Sequence, residues 1–192
     1  KHLPDSIDHS VICWTPTPNK KQKALLDSLS VFSEKLKIFL INVEALSTTK
    51  GFTAALEFLK NHAVLMAVDE STTIKSPTAT RTKSAIKLGA YAKYRRILTG
   101  SPVTKSPLDL FTQCYFLDPY LLDQSSYYVF RTRYAVCRKI NVSGRQVEIV
   151  VGYRNLAELS EKLKPFSYRV LKDDCLDLPK KTFMKRIVQL SP

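Results

Sequence analysis

Glycine is scarce in this chain, with five residues among 192, and none of the five precedes a Lys-Ser or Lys-Thr pair. The phosphate-binding loop Gly-x-x-x-x-Gly-Lys-Ser/Thr is therefore missing, which excludes a nucleotide cradle of that type within this sequence. Metal-binding cysteine pairs are missing too, and only three histidines are present, so no zinc site is predicted. We instead expect reduced structural thiols in a cytosolic protein, at Cys13, Cys114, Cys137 and Cys175.

Long hydrophobic runs are absent as well. No apolar stretch approaches the length of a membrane span, and the opening Lys1-His2-Leu3-Pro4-Asp5 lacks the hydrophobic region of a signal peptide. We therefore expect no membrane partner and an intracellular location, in the cytoplasm or with the nucleoid or nucleus. A viral protein acting in the host cytoplasm is an alternative.

Acidic residues are outnumbered, 17 against 30 lysines and arginines, which gives a net charge of +13. Such an excess favours association with a polyanion, and nucleic acid is the commonest one. The basic residues are spread along the chain, and short clusters such as Lys180-Lys181 could equally be solvated faces. Charge alone thus leaves open a basic protein whose charge serves solubility only.

Apolar patterns in the first half alternate between two periods. Residues 11–14 form a short apolar run, and the runs at 38–42, 64–68 and 96–99 predict buried strands. Helical spacing between them predicts amphipathic helices, whose apolar faces are Leu25, Leu29, Phe32 and Leu36, then Phe52, Ala55, Leu56 and Leu59, then Ala85, Leu88 and Ala92. Strands alternating with helices predict an α/β fold with a parallel sheet.

Beyond Pro102 the pattern becomes mainly helical. Ser106-Pro107-Leu108-Asp109 resembles a capped helix start. The apolar face of this helix is Leu110, Phe111, Cys114 and Leu117, and Asp118-Pro119 ends it. A tyrosine-rich helix with Phe130 and Tyr134 follows. Alternating valines and isoleucines after Ser143-Gly144 predict a small β-hairpin. A last helix is predicted from Asn155-x-x-Glu158 to Pro165.

The run Val64-Leu65-Met66-Ala67-Val68 ends abruptly in Asp69-Glu70. Ligands of open α/β sheets bind beyond the carboxyl ends of the strands, and two acids there could hold Mg²⁺ and polarise a water molecule. A strand followed by a solvated turn explains the same residues equally well. A second strand-to-loop junction, Leu98-Thr99-Gly100-Ser101-Pro102, favours the functional interpretation.

These two junctions resemble the Asp-Glu motif (Walker B) and the Thr-Gly-Ser/Thr-Pro motif of superfamily-two nucleic-acid-dependent ATPases. Further blocks are similar to the Swi/Snf-type branch, which translocates on duplex DNA. They are Asn42-Val43-Glu44-Ala45-Leu46, Ile74-Lys75-Ser76, Phe130-Arg131-x-Arg133-Tyr134, Pro165-Phe166-x-Tyr168-Arg169-x-x-Lys172-x-Asp174 and Leu178-Pro179-Lys180-Lys181. The resemblance runs from about Asn42 to the end of the chain.

The resemblance implies a partial RecA-like fold of P-loop NTPase type, followed by a helical appendage with a hairpin. It divides the chain into 1–104, a partial first helicase lobe without the P-loop, and 105–192, the appendage and exit segment of the same lobe. Because the P-loop lies upstream in this family, we expect the chain to be the C-terminal portion of that lobe in a longer protein.

The resemblance also implies site roles, with ATP and Mg²⁺ as cofactors of the parent protein. Asp69 would hold Mg²⁺ through water, and Glu70 would orient the water that attacks the γ-phosphate. Nucleotide state would be coupled to nucleic acid through residues of both loops, and the partners would be duplex DNA, bound without sequence preference, and a second RecA-like lobe. The coupling and nucleic-acid residues are Thr99, Gly100, Ser101, Lys105 and Lys75. The hydroxyls of the Thr-Gly-Ser-Pro motif could hydrogen-bond the acidic motif, and its glycine would permit a tight turn.

Some positions depart from the family pattern. Thr72 stands where His is usual, Val103-Thr104-Lys105 replaces Leu-Gln-Asn, and Val170 replaces a second arginine. The leading hypothesis is a fragment of an ATP-dependent DNA helicase or translocase, inactive alone. A non-catalytic basic nucleic-acid-binding module derived from such an ATPase is the alternative. A different α/β phosphohydrolase with Asp69 as metal ligand is a third, against which the Thr-Gly-Ser-Pro and Leu-Pro-Lys blocks argue.

Overall fold

The computed structural model describes residues 3–4, 6–29, 35–124, 126–171, 175 and 182–186. Strands alternate with helices as far as β4, after which helices enclose a single hairpin. In chain order the elements are β1 His9–Cys13, α1 Lys20–Ser28, β2 Leu36–Leu40, α2 Thr49–Asn61, β3 Leu65–Val68, α3 Thr80–Gly89, β4 Tyr94–Ile97, α4 Leu110–Leu117, α5 Tyr127–Tyr134, β5 Ala135–Val142, β6 Arg145–Tyr153 and α6 Leu156–Leu163. Short 3₁₀ segments lie at Val43–Ser47, Ser71–Ile74, Pro107–Asp109 and Lys164–Phe166.

The strands of the first half are parallel. β1 pairs with β2, with Val11 opposite Ile38, and β3 pairs with β4, with Val68 opposite Ile97. A parallel pair needs a crossover connection, and α1 and α3 lie within the two crossovers. The predicted α/β class is confirmed. Within the described residues, hydrogen bonding groups these four strands as two separate pairs.

The first helix is shorter than the sequence periodicity predicts. A capping box starts α1, in which Asn19 accepts from the Gln22 N–H and Gln22 accepts from the Asn19 N–H, both at 2.9 Å. Leu36, the last residue of the predicted apolar face, lies in β2 and not in the helix. Phe32 lies outside the described residues. Pairing with β1 requires extended backbone at Leu36, and this tertiary contact overrides the local helical spacing.

The strand β3 is less buried than its apolar sequence predicts. Val68 is 3% exposed, but Leu65 is 54% exposed and Leu98, just after β4, is 52% exposed. An open cavity of about 1460 Å³, lined by residues of β2 and β3, leaves Leu65 accessible. The expectation of a strand buried along its whole length is therefore wrong here.

The first core cluster surrounds α3. Ile74, Ala85 and Leu88 are fully buried within it, and Phe116 reaches it from α4. Close packing here requires a small residue at Gly51, where an added Cβ would collide with the backbone of the Val43–Ser47 segment. The same cluster packs Val68, the last residue of β3, so the core fixes the point at which the following loop begins.

A second core cluster lies under the hairpin and is rich in aromatic rings. Phe130 and Tyr134 of α5 are fully buried, and Phe111 of α4 packs with Phe130 at a ring-centroid distance of 5.3 Å. Because Phe116 belongs to the first cluster and Phe111 to the second, α4 contributes to both. The division at 104/105 stays a prediction.

The predicted hairpin and last helix are present. β5 and β6 are antiparallel around Ser143 and Gly144, both with positive φ, as a two-residue type I′ turn requires. The helix α6 follows Asn155, whose side chain donates to the Arg133 carbonyl at 2.9 Å rather than capping the helix as its sequence pattern suggests.

The four cysteines are free thiols, of which Cys114 is buried and Cys13 and Cys175 are exposed. Burial raises the pKa of Cys114 to about 12. Among the described helices, none combines the length and the apolar character that crossing a membrane would need.

Candidate functional site at the ends of β3 and β4

The two sequence-predicted loops begin side by side. Val68 and Ile97 are register partners at the ends of β3 and β4, so the chain leaves both strands at the same edge. The pairing continues past the strands, because the Leu98 N–H donates to the Val68 carbonyl at 2.9 Å and the Ser71 N–H donates to the Leu98 carbonyl at 3.0 Å. The structure thus brings together the acid loop (residues 69–74) and the Thr-Gly-Ser-Pro loop (residues 99–105).

The two carboxylates of the acid loop are accessible to solvent. Asp69 Oδ1 accepts a hydrogen bond from the Glu70 N–H at 2.9 Å. Glu70 itself has φ 47° and ψ 57°, a left-handed conformation that costs a residue other than glycine roughly 1–2 kcal/mol. A backbone strained at an acidic residue beside a sheet edge is typical of functional sites.

The donor set fits a hydrated magnesium ion. Mg²⁺ prefers oxygen ligands, keeps several waters and is usually held by one or two protein carboxylates together with substrate phosphates. Asp69 and Glu70 offer two such carboxylates at an open edge. Within the described residues no group of three or more potential ligands forms a protein cage for a metal.

The hydroxyls of the Thr-Gly-Ser-Pro loop bond within their own turn. Thr99 Oγ1 accepts from the Ser101 N–H at 3.2 Å, and Ser101 Oγ donates to the Val103 carbonyl at 2.9 Å. The expectation that these hydroxyls bond the acidic motif is therefore not met in this structure. Nor does the turn demand glycine, because a Cβ added at Gly100 would meet open space. Short side-chain hydroxyls close a local turn more readily than they span two loops.

Asp109, at the start of α4, anchors the segment that carries Lys105. Asp109 Oδ2 accepts from the Thr104 hydroxyl at 2.8 Å, from the Thr104 N–H at 3.1 Å and from the Lys105 N–H at 3.0 Å. Lys75 lies 3.7 Å from the same oxygen and donates to the Thr104 hydroxyl. Burial alone would raise the pKa of Asp109, but these hydrogen bonds and the Lys75 charge together lower it.

The predicted nucleic-acid residues are therefore in different situations. Lys75 is partly buried, with its ammonium group engaged by Asp109 and Thr104. The backbone N–H of Lys105 donates to Asp109, and Lys105 is exposed to solvent at the edge of the site.

Sequence reasoning missed Gln113, which connects the two loops. It is fully buried in α4; its Oε1 accepts from Ser71 Oγ at 2.7 Å, and its Nε2 donates to the Pro102 carbonyl at 2.8 Å. A signal was available, because Gln113 lies three residues after Leu110 and four before Leu117, on the apolar face predicted for this helix. A polar side chain on such a face needs buried partners.

The arginines of the Phe-Arg-x-Arg-Tyr block form ion pairs with β6 and α6. Arg131 contacts Glu148, and Arg133 contacts Glu158, which also accepts from the Tyr134 hydroxyl at 3.0 Å. Burial, followed by this hydrogen bond, raises the pKa of Tyr134 to about 12. The block therefore stabilises the second core cluster. In the tail block, Lys172, Asp174 and residues 178–181 lie outside the described residues.

Comparison with known proteins gives one family match. The model of the SNF2-related domain matches residues 6–192, which is nearly the whole chain. Among solved structures, the chain is similar to the Sulfolobus solfataricus SWI2/SNF2 ATPase core in complex with dsDNA, with 23% identity and a TM-score of 0.45. That match covers 67% of this chain and 23% of the archaeal chain, so the present chain corresponds to a minor part of its length. No curated protein matches significantly.

Proposed function

The chain belongs to the SNF2-related domain family, and from this premise we propose that it is part of an ATP-dependent motor that moves on duplex DNA. The observation that carries the proposal is the junction of the acid loop with the Thr-Gly-Ser-Pro loop. Hydrogen bonds from Leu98 to Val68 and from Ser71 to Leu98 join their backbones directly. Through these bonds a change at one loop would be transmitted to the other.

The acid loop would serve ATP hydrolysis. In this role Asp69 holds Mg²⁺ through a water molecule, and the ion supplies charge neutralisation at the transferred phosphate. Glu70 orients the attacking water and accepts its proton. The left-handed backbone of Glu70 sets the direction in which its carboxylate leaves the sheet edge. Thr99, Gly100 and Ser101 would then pass the state of the nucleotide to DNA.

The remaining parts of the motor would come from elsewhere in a longer protein. No Gly-x-x-x-x-Gly-Lys-Ser/Thr loop occurs in these 192 residues. In P-loop NTPases such a loop cradles the phosphates, and an arginine supplied in cis or in trans stabilises the transition state. We propose that an upstream segment supplies the cradle and that a second RecA-like lobe supplies the arginine. Residues 1–104 and 105–192 would then be the partial first lobe and its appendage.

DNA is proposed as the partner because of charge. The net charge of +13 favours a polyanion, and Lys105 lies exposed beside the Thr-Gly-Ser-Pro loop. Contacts to phosphates carry no sequence information, which agrees with a motor that must act on any sequence.

The second candidate is a non-catalytic nucleic-acid-binding module of the same descent. The missing phosphate-binding loop favours it. The coding sequence upstream of Lys1 gives a first test, since a phosphate-binding loop there supports the motor and a start codon close to Lys1 supports the module. The decisive experiment measures ATP turnover of the protein encoded by the complete reading frame, with and without duplex DNA. DNA-stimulated turnover that is lost in Glu70→Gln supports the motor, whereas DNA binding without turnover supports the module.

A further inference from the structure

The side chain of Gln113 is fully buried and fully used. Its Oε1 accepts from Ser71 Oγ at 2.7 Å, and its Nε2 donates to the Pro102 carbonyl at 2.8 Å and to the Asp109 carbonyl at 2.7 Å. Burying an amide without partners costs roughly 1–3 kcal/mol, so a position in an apolar helix face tolerates glutamine only where such partners exist. Here two of the partners, Ser71 and Pro102, are on two different loops.

The orientation of the amide follows from its partners. The carbonyls of Pro102 and Asp109 can only accept, so both must face the Nε2 hydrogens, which leaves Oε1 for the hydroxyl of Ser71. A glutamate at this position would set a carboxylate against two carbonyl oxygens, and a leucine would make none of the three bonds. The site therefore selects a group that donates and accepts at once.

The two ends of this bridge lie within the acid loop and the Thr-Gly-Ser-Pro loop, each beside a residue with a proposed role. Ser71 directly follows Glu70, and Pro102 directly follows Ser101. The adjacent helical residue adds a second attachment, because Thr112 Oγ1 donates to the Ile74 carbonyl at 2.7 Å. Consecutive residues of α4 thus hold the acid loop at Ser71 and at Ile74, while Gln113 also holds the Thr-Gly-Ser-Pro loop.

We propose that Gln113 is a positioning residue that makes the acid loop and the Thr-Gly-Ser-Pro loop move as one unit. Displacement of Pro102 would pull on the amide and, through Ser71, on the backbone of Glu70. The proposal rests on the motor function proposed above, because that function assigns the catalytic carboxylate to one loop and the DNA response to the other. Because Gln113 is fully buried, it would act through the two loops and not by direct contact with nucleotide or DNA.

The test uses the protein of the complete reading frame and compares Gln113→Leu and Gln113→Glu with the parent and with Gln146→Leu, an exposed glutamine of the hairpin. We expect both Gln113 variants to lower the DNA-stimulated ATPase rate about tenfold more than the DNA-free rate, a factor equal to about 1.4 kcal/mol of lost coupling between the two loops. Gln146→Leu should keep the parental ratio. An equal fold loss of both rates would assign Gln113 a purely structural role and overturn the proposal. Parental values of both rates would overturn it as well.

A second measurement does not depend on turnover. Amide hydrogen exchange in Gln113→Leu should show faster exchange in residues 69–74 and in residues 99–105 together, with α3 unchanged. Faster exchange in one loop alone would overturn the link. If the Gln113 variants fail to fold, Ser71→Ala removes one arm of the bridge and should show the same pattern to a smaller degree. A parent protein without any ATPase activity would refute the motor function, while hydrogen exchange would still decide whether Gln113 joins the loops.

Discussion

Lys75 and Asp109 form an ion pair, 3.7 Å between Nζ and Oδ2, that joins the end of the acid loop to the start of α4. The pair lies 34 residues apart in sequence and is partly buried, with the Asp109 side chain 14% exposed. Together with the three hydrogen bonds to Thr104 and Lys105, it makes Asp109 the anchor of the Thr-Gly-Ser-Pro loop.

The first prediction concerns this anchor and its pH dependence. Because the folded pKa of Asp109 is lowered from its ordinary 3.8, its stabilising effect is complete above that value and is lost as pH falls through the folded pKa. Asp109→Asn should reduce the free energy of unfolding by about 1 kcal/mol near neutral pH. Urea unfolding of both chains from about pH 6 downward should show this difference shrink below the ordinary carboxyl pKa. A difference independent of pH would contradict the assignment.

The second prediction separates the two carboxylates in the complete protein. Glu70→Gln should block ATP hydrolysis while leaving nucleotide binding largely intact, because the amide keeps the shape of the carboxylate but cannot accept a proton. Asp69→Asn should also weaken Mg²⁺-dependent nucleotide binding. Steady-state rates and nucleotide affinities of both variants, measured with and without Mg²⁺, check this. Unchanged ATP turnover in Glu70→Gln would show that Glu70 does not accept the proton in hydrolysis.

The third prediction concerns strain at Glu70. With φ at 47°, Glu70 has a left-handed backbone, which is unfavourable in energy for glutamate but not for glycine. Glu70→Gly should therefore have a free energy of unfolding about 0.5–1 kcal/mol greater than Glu70→Ala, once the larger entropy of glycine in the unfolded chain is counted. Both variants lack the carboxylate, so the difference between them does not contain the effect of losing that group. Equal denaturant midpoints would show that the backbone there is relaxed.

The fourth prediction is that the purified 192-residue chain has no DNA-stimulated ATPase activity. Asp69 and Glu70 would act without a phosphate-binding lysine and without an opposing arginine, and such an arginine alone is worth roughly 10³-fold or more. Phosphate release should equal that of Glu70→Gln chain prepared in the same way. Turnover by the unmodified chain that Glu70→Gln abolishes would contradict the prediction.

The sequence predicted those parts of the fold that depend on neighbours along the chain. The ends of the apolar runs at Asp69 and at Thr99 predicted where the two loops begin, and Ser143-Gly144 predicted the hairpin turn. Each of these signals consists of residues that are close together in the sequence. Leu36 was misassigned because its helical spacing is local, whereas its pairing with His9 is not. The bond between Ser71 and Gln113 spans 42 residues, and no local pattern specifies which buried polar side chains meet. For the hydroxyls of Thr99 and Ser101 the error was the opposite one, because they bond within their own turn and not across to the acid loop.

The last prediction concerns nucleic acid. The net charge of +13 should give the purified chain weak binding to duplex DNA, in the non-specific range of about 10⁻⁴ to 10⁻⁶ M, and the affinity should fall log-linearly with salt as counterions are released. If the exposed Lys105 contacts a phosphate, Lys105→Ala should reduce the salt slope by about one. Lys139→Ala, an exposed lysine of the hairpin far along the chain from the site, is the matched control for lost charge.

A titration of labelled duplex at several salt concentrations measures both effects. Absence of binding even at low salt would contradict DNA as a partner of this chain. Binding with equal slopes in the parent and in Lys105→Ala would reject only the Lys105 contact, because the remaining charges would then account for the affinity. A smaller slope in Lys105→Ala but not in Lys139→Ala would locate the phosphate contact beside the Thr-Gly-Ser-Pro loop, where a response to DNA could reach Gln113 through Pro102.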